Sequence, residues 1–439
     1  MKISGWARYP LIDASIACPT TIEEIRILLE TKSSIARGNG RSYGDSAINT
    51  ENTIDMRHFN RILDFDSGTG LVTVEAGVLL SDIIDYFLPN GWFPTITPGT
   101  KFVTVGGMVA TDVHGKNHHI EGSFRNCVEW IELMSAEKQQ IMCSREHDPD
   151  LFNWTIGGMG LTGVILKVCF RLKKINTAWI KQQTIACKNL DETINAFEAN
   201  LSTYYSVAWI DCMKAGKYLG RSLITLGEHA NKRDLSGRRK KHPFGPVRSK
   251  TLKLNLSFLH FLVSRPFAKL FNFAYYRTGK LKSLMSLAHI TSFFYPLDRI
   301  ANWNKIYGRN GFLQFQCAVP LKSSRTALHE IIGSIVDANV SAPLAVLKRF
   351  GKHGDFFSFP MEGYTLAVDF PTNEHTINLV SRLHEIVVNN GGRIYLAKDS
   401  QLDKETFRRI EGRSHLFRNF LIQRGCSIFS SCQSERIGL

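Results

Sequence analysis

Two short stretches carry residue types that can do chemistry together. Residues 103 to 119 read VTVGGMVATDVHGKNHH, a Gly106-Gly107 pair followed by His114 and Lys116. Adjacent glycines let backbone come close to a flat or charged ligand because no Cβ intervenes. His114 supplies a proton shuttle and Lys116 a fixed cation at the end of the same segment. The same spacing also suits a glycine turn followed by a solvated basic loop. The second stretch is Arg37-Gly38-Asn39-Gly40-Arg41-Ser42-Tyr43-Gly44-Asp45, fed by the apolar Ile35-Ala36. Three glycines after a short strand let several N–H groups converge on an anion, as in a phosphate cradle. It has neither the Gly-Lys-Ser/Thr ending of a Walker loop nor the GxGxxG dinucleotide fingerprint, and a plain turn has the same composition.

The elements that must hold these groups alternate between strand and helix over residues 20 to 110. Thr20-Thr21-Ile22-Glu23-Glu24-Ile25, with Glu three residues after Thr, predicts a helix start of capping-box type, and Ile22, Ile25, Ile27 and Leu28 give that helix an apolar side. Leu71 to Gly77 alternates as a half-buried strand; Ser81 is read as the cap of a helix carrying Ile83, Ile84, Phe87 and Leu88, ended by Asn90-Gly91. Gly157-Gly158-Met159-Gly160 leads into an apolar run from Leu161 to Phe170. Near residue 176 the texture shifts to aromatic-rich strands such as Ser206 to Ile210. Further strands are expected at Phe312 to Gln316 and Thr365 to Phe370. On the former, Gln314 and Gln316 share a face, suited to a polyol ligand or to solvent.

With 439 residues, two domains are expected. The net charge of +15 asks for an anionic partner: nucleic acid, an anionic membrane surface or a phosphorylated substrate. Residues 231 to 253 hold nine Lys or Arg against one acid and are read as a loop; Leu254 to Phe273 is apolar, aromatic and basic, either a membrane-surface stretch or a buried helix behind a basic loop. Nine scattered cysteines without a CxxC pair argue against a disulfide framework or a metal site and for a reducing compartment. No signal peptide or membrane-spanning run is recognised.

Together these pieces resemble the flavin oxidoreductases of the vanillyl-alcohol-oxidase type, and within them the branch that oxidises polyprenylphosphoryl pentoses. The likeness runs nearly end to end: Gly5-Trp6-x-Arg8, the Arg37 to Asp45 loop, Pro98-Gly99-Thr100, the Val103 to His119 segment, Gly160-Leu161-Thr162-Gly163, Pro296-Leu297-Asp298, Gly311 to Gln316, Val368-Asp369-Phe370-Pro371 and Ala397-Lys398-Asp399-Ser400. The resemblance implies an α+β fold: a two-part FAD-binding domain (PCMH type, residues 1–176 and 393–439) with an antiparallel-sheet substrate domain inserted at 177–392. It assigns FAD to Ala36, Arg37, Gly38, Asn39, Gly40, Arg41, Ser42, Tyr43, Gly44, Asp45, Ser46, Gly99, Thr104, Val105, Gly106, Gly107, Thr111, Asp112, Val113, His114, Val164 and Tyr395. Where many relatives attach flavin through a histidine, this chain has Arg41, so non-covalent FAD is expected.

The activity implied is oxidation of a sugar 2-hydroxyl on a polyprenyl phosphate: hydride goes to the flavin while a base takes the hydroxyl proton. Tyr43, His114 and Lys398 are expected around that hydroxyl. Lys398 sits in an apolar stretch, where desolvation makes a lysine a base; a cation that polarises the hydroxyl is the competing role. Lys116 and Lys348 suit the phosphate, and Gln314, Gln316 and Thr365 the sugar. Three positions depart from relatives: Ala367 replaces a reactive cysteine, Phe294 a tyrosine and Thr365 an asparagine. A separate NAD(P)H-dependent short-chain reductase is the expected partner, turning the keto sugar into arabinose. The expected location is cytoplasmic, peripheral at the inner membrane. The alternatives are a soluble sugar or aldonolactone oxidase of the same superfamily and a binding protein for nucleic acid; no nucleic-acid motif supports the latter.

Overall fold

Segments of period-two hydrophobicity become strands, and three of the four sheets bring the site together. The computed structural model describes residues 1–30, 32–245, 256–281, 285–354 and 357–439. A short hairpin, β1 (Lys2–Ile3) and β2 (Ile12–Asp13), precedes a parallel three-stranded sheet of β3 (Ile16–Ala17), β4 (Ile35–Arg37) and β5 (Thr53–Asp55), in the order β3-β5-β4. The second sheet holds β6 (Ile62–Asp66), β7 (Leu71–Glu75), β8 (Trp92–Pro94), β9 (Val128–Met134), β10 (Gln140–Ser144) and β11 (Val164–Lys174), in the order β10-β9-β11-β7-β6 with β8 on β11. The third is an eight-stranded antiparallel sheet of β12 (Trp179–Cys187), β13 (Tyr205–Ile210), β14 (Ser222–His229), β15 (Ser286–His289), β16 (Phe312–Pro320), β17 (Ala345–Phe350), β18 (Gly363–Pro371) and β19 (Arg393–Ile394), ordered β15-β12-β14-β13-β17-β18-β16-β19. The fold is α+β with an inserted antiparallel sheet, as expected.

One apolar core runs continuously from Ile25 through both larger sheets to Ile437. Arg393 and Ile394 add the edge strand beside Ala318 and Cys317. Beyond them the chain returns to the N-terminal part. Ser34 N–H donates to the Ile428 carbonyl at 2.8 Å, and Cys432 N–H to Ile48 at 2.8 Å.

The Thr21–Glu24 capping box forms on the helix Ile22–Leu28, yet only Ile25 of its apolar residues is fully buried, and Ile27 is exposed. Ser81 is not a cap: the helix runs Leu80–Phe87 with Leu79 before it. The N–H groups of Leu80 and Ser81 bond instead to the carbonyls of Val103 and Lys101, so a long-range bridge sets that start. Gly91, at φ 81°, ends the following turn, where a Cβ would be strained. The basic loop is partly helical, with a turn at Lys232–Asp234 and a helix at Gly237–Lys241. Residues 246 to 253 of that loop, with Leu254 and Asn255, lie outside the described residues. The apolar stretch becomes a 3-10 segment, Leu256–Val263, and the helix Arg265–Leu281. Among the described residues no helix is long and apolar enough to cross a membrane.

Candidate active site

A cavity of about 860 Å³ lies between the N-terminal glycine loops and one face of the eight-stranded sheet. The sheet lines it with residues two apart on neighbouring strands: Gln182 and Thr184, Val207 and Trp209, Leu223 and Thr225, Val346 and Lys348, Gln314 and Gln316, Thr365 and Ala367. Strand pleating puts each such pair on one face, so the Gln314/Gln316 expectation is met. The other wall is the loop from Ala36 to Gly44, with Ser46, Gly99, Thr104, Gly106, Gly107, Thr111, Val113, His114, Lys116, Tyr395 and Lys398.

The loop wall is shaped for close backbone approach. A Cβ on Gly38 would sit 2.1 Å from Thr104 Oγ1, and one on Gly44 2.0 Å from the Asp399 carbonyl oxygen. Thr104 caps the helix Val105–Ala110 by accepting from Gly107 N–H at 3.2 Å. Two buried polar atoms in this wall, Arg41 Nε and Ser46 Oγ, have no protein partner. The Arg41 guanidinium lies 3.9 Å from the Trp6 ring centroid, and its charge faces Asp298. Unmet donors beside a glycine cradle fit the diphosphate and ring edges of a flavin dinucleotide.

Four assigned positions do not line the cavity. Val105 is core, fully buried. Val164 points into the core, and its neighbours Gly163 and Ile165 line the cavity, as strand parity requires. Asp45 turns away to Arg436, with Arg436 Nη2 donating to Oδ1 at 2.7 Å. Asp112 is consumed internally: it accepts from Ser123 Oγ at 2.9 Å, from Ser358 Oγ at 2.5 Å and from Arg125 N–H at 3.0 Å, so it positions the loop.

The residues expected around the hydroxyl, Tyr43, His114 and Lys398, line the same cavity. Lys398 Nζ sits 3.4 Å from the centroid of the Tyr43 ring. Burial pulls the Lys398 ammonium down to about 7, against the pull of the Asp369 carboxylate. Burial also lifts Asp369 to about 7, opposed by the Gln314 amide and Lys398. Gln314 Nε2 donates to Asp369 Oδ1. Tyr43 is pushed well above its usual value by burial, so it stays a phenol. His114 is driven well below its usual range by burial and by Lys348, so it stays neutral. Gln316 Nε2 lies 3.1 Å from His114 Nε2 and 3.2 Å from Thr365 Oγ1. An amide N–H can only donate, so His114 Nε2 accepts and the proton is assigned to Nδ1, which has no protein partner.

Burial lowers Lys348 to about 8 and Lys116 to about 7. Lys116 donates to the Phe293 carbonyl and lies 4.3 Å from that ring's centroid. Among the described residues, Lys116, Lys348 and Lys398 form no salt bridge, which leaves the cavity short of negative charge. Asp369, which accepts from Gln314 and acts electrostatically on Lys398, was not among the expected site residues. The signal was there: it continues the alternation of Thr365 and Ala367. Arg436 was missed with no local signal at all.

A family model for the FAD binding domain matches residues 14–144. The chain is 36% identical to decaprenylphosphoryl-beta-D-ribose oxidase of Mycolicibacterium smegmatis over 94% of this chain and 92% of that protein. It is 23% identical to an L-gulonolactone oxidase of Scyliorhinus torazame, over 91% of this chain and 89% of the relative. The L-gulonolactone oxidase of Bos taurus matches at 28% over 48% of each chain.

Proposed function

The chain belongs to the family of FAD-dependent oxidoreductases that contains decaprenylphosphoryl-beta-D-ribose oxidase, and from that premise we propose that it oxidises the 2-hydroxyl of a polyprenylphosphoryl ribose to the 2-keto sugar. The observation that carries this reading is the pairing, in one cavity, of a flavin cradle with salt-bridge-free lysines and a two-glutamine sheet face. A phosphate answers the lysines, and sugar hydroxyls answer the amides.

FAD, when bound, supplies the two-electron acceptor for the alcohol carbon. The protein supplies the rest. Lys398 is the base: Tyr43 is held as a phenol and His114 as a weakly basic imidazole, whereas Lys398 is poised near neutrality. A neutral Lys398 amine takes the hydroxyl proton and becomes the ammonium that Asp369 and the Tyr43 ring stabilise. Gln316 fixes the His114 tautomer, and its Nδ1–H is available to an oxygen of the ligand. Lys348 and Lys116 answer the phosphate, whose charge favours their ammonium forms. With Arg41 against Trp6, we expect FAD to be held without a covalent bond.

This oxidation is the first half of a 2'-epimerisation. An NAD(P)H-dependent short-chain reductase then returns the keto sugar as arabinose for cell-envelope glycans. The enzyme works peripherally, on the cytoplasmic side of the inner membrane; nine free thiols suit a reducing compartment. The test is anaerobic mixing of the FAD-loaded protein with a short polyprenylphosphoryl-β-D-ribose while flavin absorbance is followed. Rapid bleaching is expected. A flavin reduced by dithionite or by an aldonolactone but not by this sugar overturns the substrate.

A further inference from the structure

The cavity changes character along its length. Lys348, Lys398 and Gln316 line one part of it; another part is lined by Trp209 and Leu223 of the sheet and by the exposed Phe271 and Tyr275 of the helix Arg265–Leu281, with Gln182, Thr184, Thr225 and Thr278 nearby. The Trp209 and Tyr275 rings meet edge-on, 4.9 Å apart, and Phe271 stacks on Tyr275 at 5.6 Å. This apolar mouth has no counterpart in the chemistry of a pentose.

The helix above it is seated by a narrow stripe. Ala268 and Asn272 are buried, and Asn272 donates to Asp211 at 2.9 Å. Tyr276 OH donates to the Cys187 carbonyl at 3.2 Å, and Gly279 lies against Leu223. The rest of the helix faces out. Nine of the twenty-one large hydrophobic side chains exposed among the described residues fall between Phe261 and Met285; Leu270 is 63% exposed and Phe273 46%. A soluble surface scatters such residues singly, and clustering marks a contact surface.

Charge identifies what covers it. Between Asp234 and Asp298 the sequence holds no acidic residue and twelve Lys or Arg, most of the net charge of +15. Aromatic and aliphatic side chains interspersed with basic ones, on a helix of moderate length, match an anionic bilayer interface.

We propose that the outward face of the helix Arg265–Leu281 docks on an anionic phospholipid surface, and that the prenyl chain leaves the active site through the mouth between Trp209, Leu223, Phe271 and Tyr275. The helix then does two jobs: it anchors the enzyme and opens the site directly to the bilayer. This rests on the lipid-linked substrate proposed above.

The full-length, FAD-loaded protein and its L270E/F273E variant test it. Neither altered residue lines the cavity, and matching circular dichroism and flavin content confirm folding. The wild type is expected to float with phosphatidylglycerol-containing vesicles, less with pure phosphatidylcholine, and less at high salt. The variant is expected to lose vesicle affinity about tenfold to hundredfold. It should turn over a long-chain substrate in vesicles correspondingly more slowly, yet be reduced normally by a short-chain prenylphosphoryl ribose in solution. A prenyl chain carrying a diazirine near the phosphate should label the peptide containing Phe271 and Tyr275. Equal flotation of the two proteins, no flotation of the wild type, or labelling elsewhere overturns the proposal. So does a wild-type dimer that the variant dissociates without any vesicle binding. Failure of the substrate reading shows separately, as no bleaching of the wild type by the short-chain sugar.

Discussion

If Lys398 acts as a base, flavin reduction must follow the fraction of its neutral amine. With the ammonium lowered to about 7, that fraction falls about tenfold for each pH unit below 7 and saturates above it. A cationic role would give the opposite profile, flat at low pH and falling as pH rises. Anaerobic stopped-flow bleaching at low substrate, which reports the free enzyme, distinguishes the two. The neighbouring Lys116, Lys348 and Asp369 also titrate near this range, so the assignment needs variants. Lys398→Met should remove the steep limb and slow reduction by orders of magnitude. Asp369→Asn keeps an acceptor oxygen for Gln314 but removes the charge that favours the Lys398 ammonium. An opposite full charge beside a titrating group shifts its pKa by roughly one to three units. Asp369 is itself near half-ionised at pH 7, so the limb should move to lower pH by about one unit. A limb that survives Lys398→Met, or that moves upward in Asp369→Asn, refutes the base assignment.

Other consequences follow from the same contacts. Gln316→Leu removes the donor to His114 and Thr365, and should slow flavin reduction about tenfold to hundredfold with FAD content unchanged, read by stopped flow and absorbance. Arg436→Met leaves Asp45 and the fully buried Asp399 without their shared cation; it should cost about 3–5 kcal/mol, measured as a lowered urea midpoint with loss of FAD. Acid precipitation should release all FAD to the supernatant, and yellow colour retained in the pellet would disprove non-covalent binding.

The parts of the site legible in the sequence are those governed by local repeats. Strand alternation put Gln314 and Gln316 on one face, and the glycine spacing marked the loop that forms the cradle wall. The errors are also local rules, overridden by distant contacts. Ser81 has the chemistry of a cap, but the bridge between Leu79 and Thr104 fixes the helix start two residues earlier. Val164 was one residue out of phase, which in a strand is the wrong face. Asp45 looked like part of the cradle because its neighbours are; only Arg436, 391 residues later, shows where it points. No window of sequence contains that pair.

The division of labour between the walls has a consequence for specificity. Lys398 is held by both walls: Tyr43 N–H donates to the Ala397 carbonyl at 2.9 Å and Gly44 packs beneath the Asp399 carbonyl, while Lys398 N–H donates at 2.9 Å to the carbonyl of Tyr395, next to the sheet-edge strand. Gln314, Gln316, Lys348 and Thr365, proposed to orient the sugar and phosphate, belong to the sheet, which reaches the cradle through Gln316 on His114, through Phe312 edge-on to Tyr43 at 5.4 Å, and through Tyr395, whose N–H donates to the Gln316 carbonyl at 2.9 Å. The three positions at which the resemblance implies a departure, Phe294, Thr365 and Ala367, line the cavity on or beside the eight-stranded sheet rather than in the glycine loop. Exchanging Thr365 or Ala367 is therefore expected to change which alcohol reduces the flavin more than it changes FAD content, because the family match lies in residues 14–144 and these positions lie on the sheet; equal losses of FAD and of activity would refute that expectation.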